Sequence, residues 1–289
     1  MPLLRIDATR DVPQAQTGRT LRETLAAHLA PLPSAAPLII ATHGLRHSPF
    51  GQGYDPHRGL LSARPGPAPH WKARSLIRRL HMGDGQRLDG HGIAFGWDGS
   101  GWLWPAMARA RQAGQALART CETIRILRPD LRIGIVTHSL GARVVIEAML
   151  HADRPIFDRA LLLTPADTRG RAARALEAAG GRDCQVIATQ TPENWLTSLG
   201  FAAAVPGIPT LAFGPKHQRW TDFVPDRRPD LGVRPWAHRT CHWSCYLRPG
   251  LWPLYRGWLT GSAGAALFRS VPQSLQASGA ETNVGPVTA

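Results

Sequence analysis

Lysine is almost missing from this chain, and acidic residues are few. Lys72 and Lys216 are the two lysines among 34 basic residues, against 20 acidic ones, and the formal net charge is +14. Such a charge raises the question of a nucleic-acid or anionic-membrane partner. The arginines are scattered along the chain, however, so we expect no dedicated nucleic-acid site. The charge is also compatible with a basic rim that attracts anionic substrates.

Long apolar runs and a cysteine framework are missing as well. No stretch is long and apolar enough to span a bilayer, and residues 1–16 lack the apolar core of a signal peptide. The four cysteines are too few and too unevenly spaced for a disulfide framework, which fits a reducing compartment. We therefore expect a cytoplasmic protein without a transmembrane segment. The sequence leaves the oligomeric state undetermined.

The common cofactor motifs are absent too. The chain has no phosphate-binding loop, no dinucleotide glycine fingerprint and no Cys-x-x-Cys pair, so we expect no organic cofactor. The run from Cys241 to Cys245 lacks the second ligand pair of a structural zinc site, and we predict no metal.

What remains is the pattern of an α/β protein. Short apolar strands alternate with helical stretches, which predicts a mostly parallel sheet with helices on both faces in a single domain. We predict a lead-in segment, a catalytic domain, an excursion inside it that could form a lid or cap over the site, and a disordered tail. Their bounds are 1–36, 37–268, 206–240 and 269–289. The predicted strands cover 37–41, 92–97, 131–136, 160–163 and 185–188, and the predicted helices 104–126, 140–151, 169–179, 195–203 and 251–259.

Ser139 is the most informative residue. A buried strand over 131–136 runs into Thr137-His138-Ser139-Leu140-Gly141 and then into a helix. A serine at such a sharp turn sits in strained backbone, so small residues are favoured two positions to either side. Gly141 fits, whereas Thr137 stands where glycine is usual. A serine that merely caps a helix is the alternative interpretation.

The elbow and three further segments resemble α/β hydrolases of the uncharacterised bacterial kind, of the serine esterase or lipase type. These segments are Thr42-His43-Gly44 after a strand, Phe95-Gly96-Trp97, and His242-Trp243-Ser244 near the C-terminal end. The resemblance covers about residues 37–259. It implies an oxyanion hole formed by the N–H groups of Leu45 and Leu140, with His43 and Gly44 shaping the loop.

A serine nucleophile needs a histidine base and an orienting acid, and in this fold both follow the serine. His242 is best placed as the base and His238 is the reserve. Glu193, after the strand at 185–188, is the first choice of acid. Asp167, after the preceding strand, is its rival, and the sequence leaves the two open.

Three tryptophans follow a strand end: Trp97, Trp102 and Trp104. They could form an apolar wall for an acyl group, although core packing explains them equally well. The resulting hypothesis is a serine hydrolase that cleaves a carboxylic ester or related small acyl substrate. A non-catalytic binding module and a cofactor-free acyltransferase are the alternatives.

Overall fold

One sheet organises the molecule. The computed structural model describes residues 3–51, 54–66, 74–82, 91–191, 201–203, 206–228, 231 and 243–269. Within these ranges eight strands are present: β1 (Leu3–Thr9), β2 (Val12–Ala15), β3 (Pro37–Thr42), β4 (His91–Trp97), β5 (Arg132–His138), β6 (Arg159–Leu163), β7 (Gln185–Thr189) and β8 (Trp220–Phe223). Their order across the sheet is β2-β1-β4-β3-β5-β6-β7-β8. Only the β1–β2 pair among them is antiparallel, so the predicted mostly parallel α/β fold is confirmed.

Helices cover both faces of this sheet. They are α1 (Leu21–Leu29), α2 (Leu76–Arg79), α3 (Leu103–Leu127), α4 (Gly141–His151), α5 (Arg169–Glu177), α6 (Ser244–Leu247) and α7 (Trp252–Thr260). Short 3-10 turns lie at Pro56–Arg58, Ala179–Gly181, Pro225–Arg227, Pro249–Leu251 and Ala265–Phe268. None of the helices in the described ranges is long and apolar enough to cross a membrane.

The strand residues alternate between two cores, as the pleat of a β-strand requires. In β3, Leu38 and Ile40 pack with α1, α3, α4 and α5. Ile39 and Ala41 point to the other face, where they pack with α2, α6 and α7. Because both faces are buried, the strand reads as a continuous apolar run in the sequence.

The long helix α3 packs closely on α4. Ala106, Ala110 and Ala113 of α3 are buried. Gly114 faces α4 so closely that a Cβ atom there would lie 2.8 Å from the carbonyl oxygen of Val144. The α3–α4 pair therefore anchors the helix that follows Ser139.

Two parts of the sheet were not predicted. β1 and β2 lie within the segment that precedes residue 37, and β8 lies within the excursion over 206–240. β2 contains a proline and is a mostly exposed edge strand, while β8 has four residues, so neither carries a strong strand pattern. Of the helix predicted over 195–203, residues 195–200 lie outside the described ranges, as do residues 270–289 of the predicted tail.

Candidate active site

Ser139 occupies a strained turn between β5 and α4. Its φ is +55°, in the left-handed region, which costs a non-glycine residue about 1–2 kcal/mol. The turn is held from both sides: the Ser139 N–H donates to the Leu163 carbonyl at 2.9 Å, and the Ser139 carbonyl accepts from Ala142 N–H at 3.0 Å. The strained backbone that the sequence predicts at this residue is present. Ser139 itself is half-buried.

This turn lies where the strand order reverses. From β3 the chain moves to β4 on one side, and from β4 it returns to β5 on the other side of β3. In open α/β sheets ligands bind outside the carboxyl ends of the strands at such a reversal. Gly44, after β3, and Ser139, after β5, both lie at that point.

Gly141 provides the space that the turn needs. A Cβ atom there would overlap Thr137 Oγ1 and the carbonyl oxygen of His43. Thr137 is fully buried in β5, and its side chain occupies this space. The threonine is therefore accommodated because the residue four positions later is glycine.

Gly44 brings the loop after β3 against the elbow. A Cβ atom on Gly44 would lie 2.7 Å from the His138 carbonyl oxygen, 3.2 Å from Ser139 Cβ and 3.4 Å from the Leu140 nitrogen. Within the described ranges, neither Leu45 N–H nor Leu140 N–H donates to another backbone group. The next N–H, that of Arg46, is bonded to the Gly99 carbonyl at 2.7 Å, which fixes the loop.

His43 has a structural environment. It is fully buried and its ring stacks on that of Trp97, with 5.3 Å between centroids and 2° between planes. Its Nδ1 is 2.9 Å from the Gly44 carbonyl oxygen, and its Nε2 lies 3.1 Å from the Trp97 N–H. Nε2 accepts that hydrogen bond, so Nδ1 carries the proton of a neutral ring. Burial lowers the pKa of His43 well below its usual value, which agrees with the neutral form.

The three tryptophans do not form one wall. Trp97 is fully buried and donates from Nε1 to the His43 carbonyl at 2.9 Å, so it belongs to the core beneath the loop. Trp102 and Trp104 are 83% and 60% exposed. They lie at the start of α3 and on the surface.

Asp167 lies after β6 and is engaged by two arginines. Its Oδ1 accepts from Arg143 Nη1 at 2.7 Å and from Thr168 N–H at 2.8 Å, and its Oδ2 lies 3.3 Å from Arg171 Nε. The carboxylate is fully buried, and Arg143 is 4% exposed. Burial raises the pKa of Asp167, while the two guanidinium groups act against this and favour the ionised form.

His242, His238 and Glu193 lie outside the described residues. The chain is described again from Trp243, whose ring stacks on that of His138, with 4.3 Å between centroids and 23° between planes. Cys245 follows two residues after Trp243. Its Sγ is 3.8 Å from Oγ1 of Thr164, the residue that follows β6. The segment that begins at Trp243 therefore packs against the residue that precedes Ser139, a contact that the sequence did not predict.

The other described histidines that follow Ser139 are His151 and His217. His151 ends α4, and His217 Nε2 lies 2.8 Å from Glu177 Oε1. Within the described ranges, no group of three or more His, Cys, Asp or Glu side chains is placed to hold a metal ion.

Comparisons with known proteins give little beyond this geometry. No protein-family model and no curated protein matches the chain. Among solved structures, a puromycin-hydrolyzing peptidase of Mycobacterium tuberculosis is similar, with 14% sequence identity and a TM-score of 0.30. The similarity covers 67% of this chain and 31% of that peptidase, so the chain spans about a third of its length.

Proposed function

We propose that the protein is a serine hydrolase of the α/β-hydrolase type that cleaves a carboxylic ester or related acyl substrate. The observation that carries the proposal is the left-handed backbone of Ser139 at the strand-to-helix turn, at the reversal of the strand order. Local strain of this kind persists only where the surrounding structure enforces it, and it is concentrated at functional sites. A serine that merely capped a helix would have an extended backbone instead.

In the proposed reaction a histidine removes the proton from Ser139 Oγ as the oxygen attacks the acyl carbonyl carbon. The negative charge that forms on the carbonyl oxygen is stabilised by the N–H groups of Leu45 and Leu140. The histidine then protonates the departing alcohol, which leaves an acyl group on Ser139. Water, activated by the same histidine, attacks this ester and releases the acid.

We assign the base to His242. The support comes from its covalent neighbour, because Trp243 stacks on His138 and His138 is bonded to Ser139. His238 is four residues further from that contact along the chain. For the acid, the contacts of Asp167 favour Glu193. An orienting acid must accept a hydrogen bond from the histidine ring, and both Asp167 oxygens already face arginine side chains.

Covalent labelling tests the proposal. A fluorophosphonate probe reacts with activated serines, and intact-mass analysis with peptide mapping locates the adduct. We expect a single adduct on Ser139, its loss in Ser139→Ala, and full labelling in Ser262→Ala, which changes an exposed serine elsewhere. Folded protein that takes up no probe, with its cleft shown to be accessible, would favour a non-catalytic binding module.

The histidine assignment has its own test. His242→Ala should lower the labelling rate by a factor of about 100 or more, whereas His238→Ala should leave it unchanged. The reverse result would move the base to His238 and leave the nucleophile in place.

A further inference from the structure

Arg46 lies two residues after Gly44, in the loop that follows β3, and its backbone is left-handed. Its φ is +72°, a conformation that favours glycine. Ser139 and Thr164, which follow the neighbouring strands β5 and β6, are left-handed as well. A residue with a side chain loses stability in this conformation, and such strain is concentrated at functional sites. The strain therefore marks this edge of the sheet, and Arg46 brings a charge to it.

Hydrogen bonds hold the backbone of Arg46 on both sides. Its N–H donates to the Gly99 carbonyl, and its own carbonyl accepts from Tyr54 N–H at 3.2 Å. The Leu45 carbonyl oxygen lies 3.2 Å from His47 Nδ1, and the Gly99 N–H donates to the His47 carbonyl at 2.9 Å. Two groups take no part in these bonds. They are the N–H of Leu45, which is the proposed oxyanion donor, and the guanidinium group of Arg46.

The charge of Arg46 is not balanced by a neighbouring carboxylate. Its side chain is exposed, and among the described residues it forms no ion pair. The acidic residues of the adjoining loops, 43–58 and 98–102, are Asp55 and Asp98. Asp55 Oδ2 lies 3.6 Å from Arg58 Nε, and Asp98 Oδ2 lies 3.1 Å from Arg109 Nε. A positive charge one residue beyond the proposed oxyanion donor is thus left to interact with a ligand.

The position of this charge indicates a class of substrate. A guanidinium group binds the oxygens of a carboxylate or a phosphate in a two-point fashion. A substrate whose acyl oxygen meets the Leu45 N–H brings its nearby groups within reach of the long side chain of Arg46. The formal net charge of +14 also favours the approach of anions. A neutral substrate would gain nothing from either feature.

We propose that Arg46 is a specificity-determining residue, which selects acyl substrates that carry a carboxylate or phosphate group close to the bond that is cleaved. The inference rests on the proposed hydrolysis at Ser139 and adds the substrate class to it. Arg46 takes no part in the steps that make and break bonds. Its loss should therefore change the choice of substrate and leave the reactivity of Ser139 as it is.

Three fluorophosphonate probes of equal chain length test the inference. One ends in a carboxylate, one in a phosphate, and one in the methyl ester of the carboxylate, which is neutral. We expect at least one anionic probe to label Ser139 about tenfold or more faster than the neutral probe. In Arg46→Gln this ratio should fall to near one, while the rate with the neutral probe stays unchanged. Arg46 is exposed, so its substitution leaves the fold intact.

Arg10→Gln is the matched control. Arg10 is also exposed and left-handed, with a φ of +56°, and it lies in the turn between β1 and β2. Its substitution removes the same charge and should leave the preference in place. Added salt gives a second readout, because a preference that comes from an exposed charge falls as the ionic strength rises. It should fall in the wild type and in Arg10→Gln, and be absent at every salt concentration in Arg46→Gln.

Three outcomes would overturn the inference while the proposed function stands. The first is labelling of Ser139 by the anionic probes no faster than by the neutral one. The second is a preference that Arg46→Gln retains, and the third is equal loss in Arg46→Gln and Arg10→Gln, which means attraction to net charge. If no probe labels folded protein with an accessible cleft, the proposed function fails and this inference fails with it. The faster of the two anionic probes identifies the anion that Arg46 selects.

Discussion

Replacing Gly44 by alanine is the most direct test of the geometry around Ser139. An ideal Cβ atom at residue 44 would lie 2.7 Å from the His138 carbonyl oxygen, whereas carbon–oxygen contacts in proteins are normally about 3.3–3.6 Å. The neighbouring backbone must therefore move by roughly half an ångström or more. The contact also includes Ser139 Cβ at 3.2 Å, so the loop and the elbow move relative to each other.

The expected size follows from what this movement displaces. The proposed oxyanion donors, Leu45 N–H and Leu140 N–H, stand on opposite sides of the contact. Loss of one such donor costs about 100- to 1000-fold in rate, and a displacement of 1 Å costs about 100-fold. We expect Gly44→Ala to react with a fluorophosphonate about 10- to 100-fold more slowly than the wild type. The added methyl group should also cost about 1–3 kcal/mol of stability.

The assay is the second-order rate constant of labelling, measured by intact mass on protein whose folded fraction is known from urea denaturation. Gly170→Ala is the matched control, since its Cβ atom would meet only the end of the Arg174 side chain, at 3.7 Å. It lies in α5, where alanine is favoured over glycine. A folded Gly44→Ala that reacts as fast as the wild type would refute the proposed placement of the oxyanion donors.

Three further predictions concern stability. Ser139→Gly should be about 0.5–1 kcal/mol more stable than Ser139→Ala in urea denaturation, because glycine relieves the left-handed strain; equal stability would contradict that strain. Asp167→Asn should cost about 3–5 kcal/mol in the same assay, since it leaves Arg143 buried without its anion, and Arg143→Met/Asp167→Leu should recover most of that loss. Acidification below pH 6.5 should destabilise the protein: the pKa of His43 is depressed in the folded state, so only the unfolded chain gains that proton. His43 contributes about 1.4 kcal/mol per pH unit to the pH dependence of the unfolding free energy. In His43→Gln the total slope should be smaller by that amount.

The sequence predicted the central strands and the long helix α3, but it missed β1, which has seven residues. The strand pattern over 37–41 marks β3, because burial on both faces imposes a continuous apolar run. The spacing of small and apolar residues over 104–126 marks α3, because one side of that helix is buried. The edge strands β2 and β8 were not predicted, because few of their residues are buried and their apolar pattern is correspondingly weak. The turn at Ser139 was predictable because local backbone geometry restricts the residues around it.

Contacts between distant segments could not be predicted. Asp7 in β1 and His57 form a buried pair, with 2.7 Å between Asp7 Oδ1 and His57 Nε2, yet 50 residues separate them. Gly96 is glycine because a Cβ atom there would lie against both side chains. The pairing of Asp167 with Arg143 and Arg171 is of the same kind. No local pattern signals that a carboxylate after a strand faces arginines on two helices.

Thr137 shows how a pattern can differ while its physical demand is met. A small residue is usual two positions before the serine, because it leaves space between the end of the strand and the helix that begins two positions after the serine. Here the Thr137 side chain occupies that space. The helix does not clash with this side chain, because Gly141 has no Cβ atom. His43 contributes to the same contact through its carbonyl oxygen, which also accepts from Trp97 Nε1. The steric requirement therefore rests on Gly141 and on the chain after β3, and a departure at Thr137 is compatible with the strained turn at Ser139.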